Sequence, residues 1–309
     1  MLTLGRRLSK NRFASRQTLL GKPETAITDN CAVACKGILT SPIRRCSFND
    51  FVTIPEFAYA EAPRLNVLGV NLESFSMHIG ILRTDSVRPE WVPTYGEYPD
   101  MFERLLLAED SALTFTTWNV EAGELPDSVE AADGFLITGS KSSVYDDKDW
   151  IRALEGFVRE CHAARRKVIG ICFGHQLVAQ ALGGAVGKSD KGWGVGVNCY
   201  KVDQAAFDLA DGDQFCLLAS HQDQVMTMPP GAHQIATSDH CEVAGMTLGE
   251  HILTFQGHPE FIPEYSREIM SFRHDLIGAE RVAEGLVSLE ARQHEGDRVA
   301  RWMLDFIRR

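Results

Sequence analysis

The segment VIGICFGHQLVAQALGG, residues 168–184, decides the fold of this chain. The apolar or small residues at 168–171 predict a buried strand, and apolar residues at helical spacing after Cys172 predict a helix. Gly170 and Gly174 stand two positions before and after Cys172, and glycine lets the backbone turn tightly without a Cβ clash. The segment therefore predicts a strand, a sharp turn that holds Cys172 at the strand end, and a helix.

Cys172 is a candidate nucleophile because of this predicted position. At a helix N-terminus the helix dipole and the free N–H groups favour the thiolate. A thiolate can attack a carbonyl group, and the same N–H groups can bind the oxyanion that forms. The alternative is a small buried apolar side chain, which is the common role of a free cysteine. The flanking glycines and the following His175-Gln176 pair favour the catalytic interpretation.

A second segment, FQGHPEF at residues 255–261, follows the apolar run of residues 252–255. In an extended segment, side chains two positions apart point the same way, and Pro259 keeps His258 out of helical geometry. Glu260 could then orient His258 as the base for a distant thiol, as in a nucleophile–histidine–acid triad. Taken alone, the segment is also typical of a surface turn. Its combination with Cys172 favours the triad.

A third segment, GFLITGS at residues 134–140, is an apolar strand that runs into Gly139-Ser140. Small residues after a strand allow backbone N–H groups to approach a ligand closely. An oxyanion hole needs one donor from such a loop and one from the residue after the nucleophile. The alternative is an ordinary turn between a strand and a loop.

In chain order, these three motifs resemble those of class I glutamine amidotransferases, and the resemblance covers roughly residues 77–309. The resemblance implies that Cys172 is the nucleophile, that His258 is the general base and acid, and that Glu260 orients His258. It also implies that the backbone N–H groups of Ser140 and Phe173 form the oxyanion hole.

The resemblance further implies a set of substrate-binding residues, which are Gly139, Gln176, Ser220, His221, Gln222 and Asp223. Two positions depart from the family pattern. Many members have Gly-Gly-Pro where this chain has Gly139-Ser140-Lys141, and Gln222 replaces the glycine of a Ser-His-Gly-Asp segment. These departures concern the shape of the oxyanion loop and the contacts of the second loop.

The activity that the resemblance implies is hydrolysis of glutamine to glutamate and ammonia through a γ-glutamyl thioester, with no cofactor and no metal. The chain has no Gly-x4-Gly-Lys-Ser/Thr motif for ATP, so the ammonia acceptor would be a separate synthetase or acceptor subunit, or the chain acts alone. One alternative is hydrolysis of γ-glutamyl peptides without a synthetase partner. Another is a non-catalytic binding or regulatory protein, which the intact Cys172, His258 and Glu260 argue against.

Alternating strand and helix patterns predict an α/β fold with a mostly parallel, doubly wound, flavodoxin-like sheet and helices on both faces. Short strands in the later half predict a smaller antiparallel portion. Residues 280–307 are predicted to be helical. Other residues are candidates for supporting roles: Trp193 lines the pocket or packs in a turn, and His175 is structural. Tyr145, Asp146 and Asp147 cap the next helix or contact substrate, capping being favoured.

The first part of the chain differs in composition from the rest. Residues 1–64 carry ten Lys or Arg against five Asp or Glu, whereas the remaining residues carry 21 against 37. Arg-rich, acid-poor N-termini occur in targeting segments and in disordered tails. We expect residues 1–76 to be a dispensable extension and residues 77–309 to form the amidotransferase-like domain.

The overall composition excludes several classes of protein. No run of 18 apolar residues predicts a membrane span, and the net charge of −11 argues against nucleic-acid binding. Eight cysteines lie at scattered positions without a CxxC pair, and the group Cys31, Cys35 and Cys46 is a weak candidate for zinc. Unpaired cysteines predict a reducing compartment, and we expect a cytoplasmic location.

Overall fold

The computed structural model describes residues 76–309, which form a nine-stranded mixed sheet, a separate strand pair and flanking helices. The strands within that range are β1 His78–Arg83, β2 Thr114–Asn119, β3 Gly134–Ile137, β4 Lys167–Ile171, β5 Ala185–Lys188, β6 Gly194–Val202, β7 Gln214–His221, β8 Asp223–Thr227, β9 Ala232–Thr237, β10 Gly245–Leu248 and β11 Ile252–Phe255. The helices are α1 Val92–Tyr95, α2 Tyr98–Glu109, α3 Asp149–Ala163, α4 Phe173–Ala181, α5 Pro263–Phe272, α6 His274–Ile277, α7 Ala279–Ala291 and α8 Gly296–Arg308.

The sheet has the strand order β2-β1-β3-β4-β11-β10-β9-β6-β7. The first five strands in this order, from β2 to β11, run parallel to one another. Each of the four remaining strands runs antiparallel to the strand before it. Strands β5 and β8 form the separate antiparallel pair. The predicted fold class, a doubly wound α/β sheet with a smaller antiparallel portion, is confirmed.

Helices cover both faces of the parallel strands because neighbouring side chains of a strand point to opposite faces. On one face, Leu136 and Ile169 of the central strands pack in one core with Phe102 of α2 and Trp302 of α8. On the other face, Phe135 and Val168 belong to a second core with side chains of α3 and α4. The sheet is therefore buried on both sides, which fixes the ends of its central strands.

This arrangement places the three motifs side by side. Gly139, Cys172 and His258 follow the carboxyl ends of β3, β4 and β11, which are consecutive strands in the sheet. The register pairs Ile171 directly with Phe255, so the elbow and the histidine segment leave the sheet at the same level. Ligand sites of open α/β sheets lie at such carboxyl ends.

Two sequence predictions need correction. The helical prediction for residues 280–307 is confirmed in α7 and α8 but is wrong between them: α7 ends at Ala291, α8 begins at Gly296, and Arg292 has extended backbone geometry. The prediction of unpaired cysteines is wrong for Cys199 and Cys216, which form a disulfide. They lie directly opposite each other on β6 and β7, a register that their separation of 17 positions does not reveal.

The expectations for residues 1–75, including the weak zinc candidate, lie outside the described residues. Among the helices between residues 76 and 309, none is long and apolar enough to cross a membrane.

Candidate active site

Cys172 occupies a strained turn between β4 and α4. It is the N-cap residue of α4 with φ 53° and ψ −98°, a left-handed conformation that side chains rarely adopt. The turn depends on the two glycines around it. A Cβ on Gly170 would lie 2.6 Å from the carbonyl oxygen of Gly174, and a Cβ on Gly174 would lie 2.5 Å from that of Ile137. The elbow thus has the form that the sequence predicted.

His258 and Glu260 form a buried pair. Glu260 Oε1 is 2.8 Å from His258 Nδ1, and the two residues are 4% and 5% exposed. The ring of Phe261 stacks on the imidazole with centroids 3.9 Å apart and an angle of 6° between the planes. The backbone N–H of His258 donates to the carbonyl of Leu218 on β7. The imidazole is therefore held by the carboxylate, the stacked ring and the backbone.

The electrostatics of this pair favour the charged imidazole. Burial by itself lowers the pKa of His258, but the Glu260 carboxylate and the neighbouring Cys172 outweigh it and raise that pKa from 6.5 to about 10. His258 is accordingly protonated at neutral pH. An imidazolium beside a thiol at a helix N-terminus stabilises the thiolate.

The Gly139-Ser140 loop lies against this pair. A Cβ on Gly139 would be 2.7 Å from His258 Cε1 and 3.7 Å from the Cys172 Cβ, so only glycine allows the loop to approach so closely. The Lys141 N–H donates to Asp85 Oδ2 over 2.7 Å, and the Lys141 ammonium pairs with the other oxygen of the same carboxylate. Asp85, which is buried at the end of β1, thereby fixes the loop.

The two expected oxyanion donors belong to residues close to Cys172: Ser140 lines the same space as Cys172, and Phe173 follows Cys172 in the chain. The Ser142 N–H donates to the Ser140 hydroxyl, whereas the Ser140 N–H has no acceptor among residues 76–309. Phe173 is the first residue of α4, and such N–H groups lack an acceptor within the helix. Its side chain is buried in the core.

A cleft of about 400 Å³ opens beside Cys172, and most of the expected substrate-binding residues line it. They are Gln176, Ser220, His221, Gln222 and Asp223, whereas Gly139 lines a smaller slot on the His258 side. The Gln176 amide donates to the Asp223 carbonyl over 2.8 Å and to Gln256 Oε1 over 3.1 Å. The structure therefore brings all six residues around Cys172.

The segment after β3 contributes residues whose role the sequence did not identify. The Asp223 carboxylate accepts hydrogen bonds from the Ser143 hydroxyl at 2.6 Å and the Tyr145 hydroxyl at 3.0 Å. The favoured role in helix capping is wrong, because α3 begins after Lys148 without a side-chain cap. Tyr145 instead holds a residue of the cleft.

Arg273 is a second residue that the sequence did not identify. It follows α5, donates to the Ser220 hydroxyl over 3.1 Å and lies 5.8 Å from the ring of Trp193, which itself lines the cleft. No ion pair of Arg273 exists within residues 76–309. A cation that follows an amphipathic helix gives no signal in the sequence, so only the fold brings it to the cleft.

His175 has the structural role that the sequence predicted. It is fully buried, its Nε2 donates to the Val243 carbonyl over 3.0 Å, and its Nδ1 accepts from the Thr254 hydroxyl over 2.7 Å. Burial lowers the pKa of His175 to about 4, so the ring is neutral. These hydrogen bonds link α4 to β11 and to the segment before β10.

The fold and the three motifs, in this chain order, are those of one protein family, and comparisons with known proteins identify the same family. The family model for class I glutamine amidotransferases matches residues 95–275. The chain belongs to the class I glutamine amidotransferase family. The match spans the Gly139-Ser140 loop, the Cys172 elbow and the His258-Pro259-Glu260 segment.

Two relatives illustrate the range of the family. Gamma-glutamyl peptidase 2 of Arabidopsis thaliana is 32% identical over 190 residues, 59% of this chain and 75% of that protein. One subunit of the glutamine-hydrolysing GMP synthase of Archaeoglobus fulgidus is 32% identical over 169 residues, 54% of this chain and 85% of that protein.

A solved structure confirms the fold. A glutamine amidotransferase from Methylobacillus flagellatus superposes with a TM-score of 0.57 at 23% sequence identity. The superposition covers 75% of this chain and 94% of the other.

Proposed function

We propose that this protein hydrolyses the γ-amide bond of a γ-glutamyl compound, with Cys172 as nucleophile and with His258 and Glu260 completing a triad. The observation that carries the proposal is the buried His258–Glu260 pair, 2.8 Å apart, next to a cysteine in a strained turn at a helix N-terminus. Glutamine is the simplest substrate of this kind. The intact, mutually oriented groups argue against a purely binding or regulatory role.

The first half of the reaction forms a thioester. The Cys172 thiolate attacks the γ-carbonyl carbon, and the N–H groups of Ser140 and Phe173 stabilise the oxyanion of the tetrahedral intermediate. The carbon–nitrogen bond then breaks, and the imidazolium of His258 gives its proton to the departing nitrogen. Because His258 already carries that proton in the resting state, the thiolate needs no base at this step.

The second half restores the enzyme. Water attacks the thioester carbonyl while neutral His258 takes its proton, and glutamate leaves as the carbon–sulfur bond breaks. The regenerated thiolate lies again beside the imidazolium. Glu260 keeps Nδ1 of the imidazole as its hydrogen-bond donor throughout and stabilises the charged form. The balance is γ-glutamyl amide plus water to glutamate plus amine.

A γ-glutamyl peptide is the second candidate substrate. The same triad cleaves either amide, and the chain resembles both a gamma-glutamyl peptidase and one subunit of a glutamine-hydrolysing synthase. With glutamine, the ammonia would pass to a separate synthetase, because this sequence has no phosphate-binding loop for ATP. With a peptide, no such partner is needed.

The test uses the purified 309-residue chain with glutamine and with γ-glutamyl dipeptides, alone and with cell extract. Release of glutamate from at least one of them is the expected result. The Cys172→Ala variant should be inactive, and Cys161→Ala is the matched control because it removes another buried thiol, on the core-facing side of α3. The absence of glutamate release from every substrate under both conditions would overturn the proposal.

A further inference from the structure

Three neighbouring spaces near Cys172 share lining residues. The cleft of about 400 Å³ lies on the side of Gln176 and Asp223. A slot of about 20 Å³ is lined by Gly139, Cys172 and His258. A third and larger cavity, of about 620 Å³, shares Tyr98 and Ile269 with the slot, and Lys141 and Arg273 border all three spaces.

The position of His258 indicates which of these spaces would receive the leaving group. The departing nitrogen must lie within reach of the imidazolium that protonates it. Only the slot, among these three spaces, is lined by both Cys172 and His258. A group attached to that nitrogen would extend from the slot toward the 620 Å³ cavity, which shares Tyr98 and Ile269 with the slot, and the glutamyl part would lie in the cleft. Ammonia as leaving group would use none of the larger cavity.

Four aromatic residues, Trp91, Tyr98, Tyr265 and Phe272, contribute to the walls of the large cavity, together with apolar residues and the charged residues Asp85, Arg88, Glu97, Lys141 and Arg273. The ring of Trp91 meets those of Tyr265 and Phe272 edge-on, at centroid distances of 6.0 and 5.8 Å. The guanidinium of Arg88 lies 3.9 Å from the centroid of Phe272 and is itself paired with Glu90. Such surfaces accept apolar and aromatic side chains.

The buried polar groups of the cavity already have partners. The Asp85 carboxylate binds Lys141, the Tyr265 hydroxyl donates to that of Tyr98 over 3.2 Å, and Glu97 accepts from the Val87 N–H over 2.9 Å. Between residues 76 and 309, the buried side-chain atoms without a hydrogen-bond partner all lie outside this lining. An apolar occupant would therefore leave no buried polar group unsatisfied.

We infer that this cavity, lined by Trp91, Tyr265 and Phe272, is a leaving-group subsite. It selects γ-glutamyl amides whose amine part is an amino acid with a large apolar or aromatic side chain. The inference rests on the proposed function and specifies its substrate class. Differential burial of the side chain in the transition state determines the preference, because a leaving group without one makes no contact with the aromatic walls.

The test compares kcat/KM for glutamine, γ-glutamyl-alanine and γ-glutamyl-phenylalanine with the full chain. We expect γ-glutamyl-phenylalanine to exceed γ-glutamyl-alanine by at least about tenfold, the range for a side chain held in an apolar pocket. Trp91→Ala removes one wall, and Ser86→Trp fills the cavity from an exposed position. Each should lower the ratio of the two peptide rates by about fivefold or more.

Val287→Ala is the control, because Val287 is an exposed apolar side chain on α7 that does not line the cavity. It should change neither rate. A folding defect in a variant is distinguishable from a lost subsite, since misfolded protein lowers both peptide rates together and leaves their ratio unchanged.

A ratio near one in the unmodified protein, or an unchanged ratio in both variants when circular dichroism shows that they are folded, would overturn the inference. Hydrolysis of glutamine without hydrolysis of either peptide would also overturn it and would leave the proposed function standing. If none of the three substrates is hydrolysed, with or without cell extract, the proposed function itself fails, and the inference fails with it.

Discussion

The two sides of Cys172 are built from different chemistry. On the glutamyl side, the cleft is lined by hydrogen-bonding side chains such as Gln176 and Asp223, and its His221 has a buried Nε2 without a partner among the described residues. On the other side, the large cavity has aromatic walls and polar groups that satisfy one another. The polar cleft suits the glutamyl group, which all candidate substrates share. The large cavity suits an apolar group on the amine, which differs between substrates.

The difference suggests how one triad can serve different substrates within a family. On the proposed function, the central residues and the polar cleft select a γ-glutamyl amide bond, while on the further inference the cavity selects what the amine carries. Substitutions at the centre should therefore affect all substrates alike. Substitutions in the polar cleft should also affect all substrates alike, but more weakly. Only substitutions in the cavity should change the ratio of kcat/KM values between substrates.

The largest expected effect is that of Cys172→Ala. Loss of the nucleophile removes the covalent route, so hydrolysis of glutamine and of γ-glutamyl peptides should fall by more than about a thousandfold. Circular dichroism should show an unchanged fold. Cys161→Ala and the analogous change at Cys241 should keep most of the activity apart from a packing cost. Hydrolysis by Cys172→Ala at the rate of the unmodified protein would show that another residue is the nucleophile.

Glu260→Gln should have the next largest effect. The carboxylate orients and stabilises the imidazolium but transfers no proton, so we expect a loss of about tenfold to a thousandfold, smaller than for His258→Ala. Steady-state rates for one γ-glutamyl substrate would measure it. Rates equal to those of the unmodified enzyme would mean that another group orients His258.

The pH profile distinguishes this role from a structural one. The raised pKa of His258 predicts that kcat/KM falls as the pH rises through about 10, where the imidazolium that protonates the leaving nitrogen is lost. Because Glu260 is a cause of this raised pKa, the falling limb should shift to lower pH in Glu260→Gln. An unshifted limb with a reduced rate would indicate a structural role only.

A smaller effect is expected from Gln176→Ala on the glutamyl side. Its amide links the Asp223 carbonyl to Gln256 and lines the cleft, so its loss should raise KM by about tenfold for glutamine and peptides alike. The ratio between substrates should stay constant. A change in that ratio would show that the cleft and the cavity do not divide the substrate as described.

The sequence was sufficient to predict the centre of the candidate site because that centre depends on local geometry. The glycines around Cys172 and the spacing of His258 and Glu260 are local signals, and each motif follows a strand. Burial of β3, β4 and β11 as parallel neighbours then brings the strand ends together. The resemblance to the family added the roles of these residues.

The surroundings could not be predicted because they depend on contacts between distant positions. Asp85 fixes the Lys141 N–H from 56 positions away, and Tyr145 holds Asp223 from 78 positions away. The aromatic cavity joins the segment after β1 to α5, a helix that the sequence analysis did not identify. The cross-strand pair of Cys199 and Cys216 likewise depends on the register of β6 and β7.

The smallest expected effect is that of removing residues 1–76, which we expect to be a dispensable extension. The excess of basic over acidic residues in positions 1–64 contrasts with the acidic remainder, and the first strand of the described residues, β1, begins at His78. Every residue that we place in the cleft, slot and cavity lies between Asp85 and Leu276. A chain that begins at Met77 should therefore fold, hydrolyse the same substrates and keep the same ratio between γ-glutamyl-phenylalanine and γ-glutamyl-alanine. Thermal unfolding and the two kcat/KM values would measure this. An insoluble product, or a changed ratio with intact folding, would make residues 1–76 part of the domain or of its substrate selection.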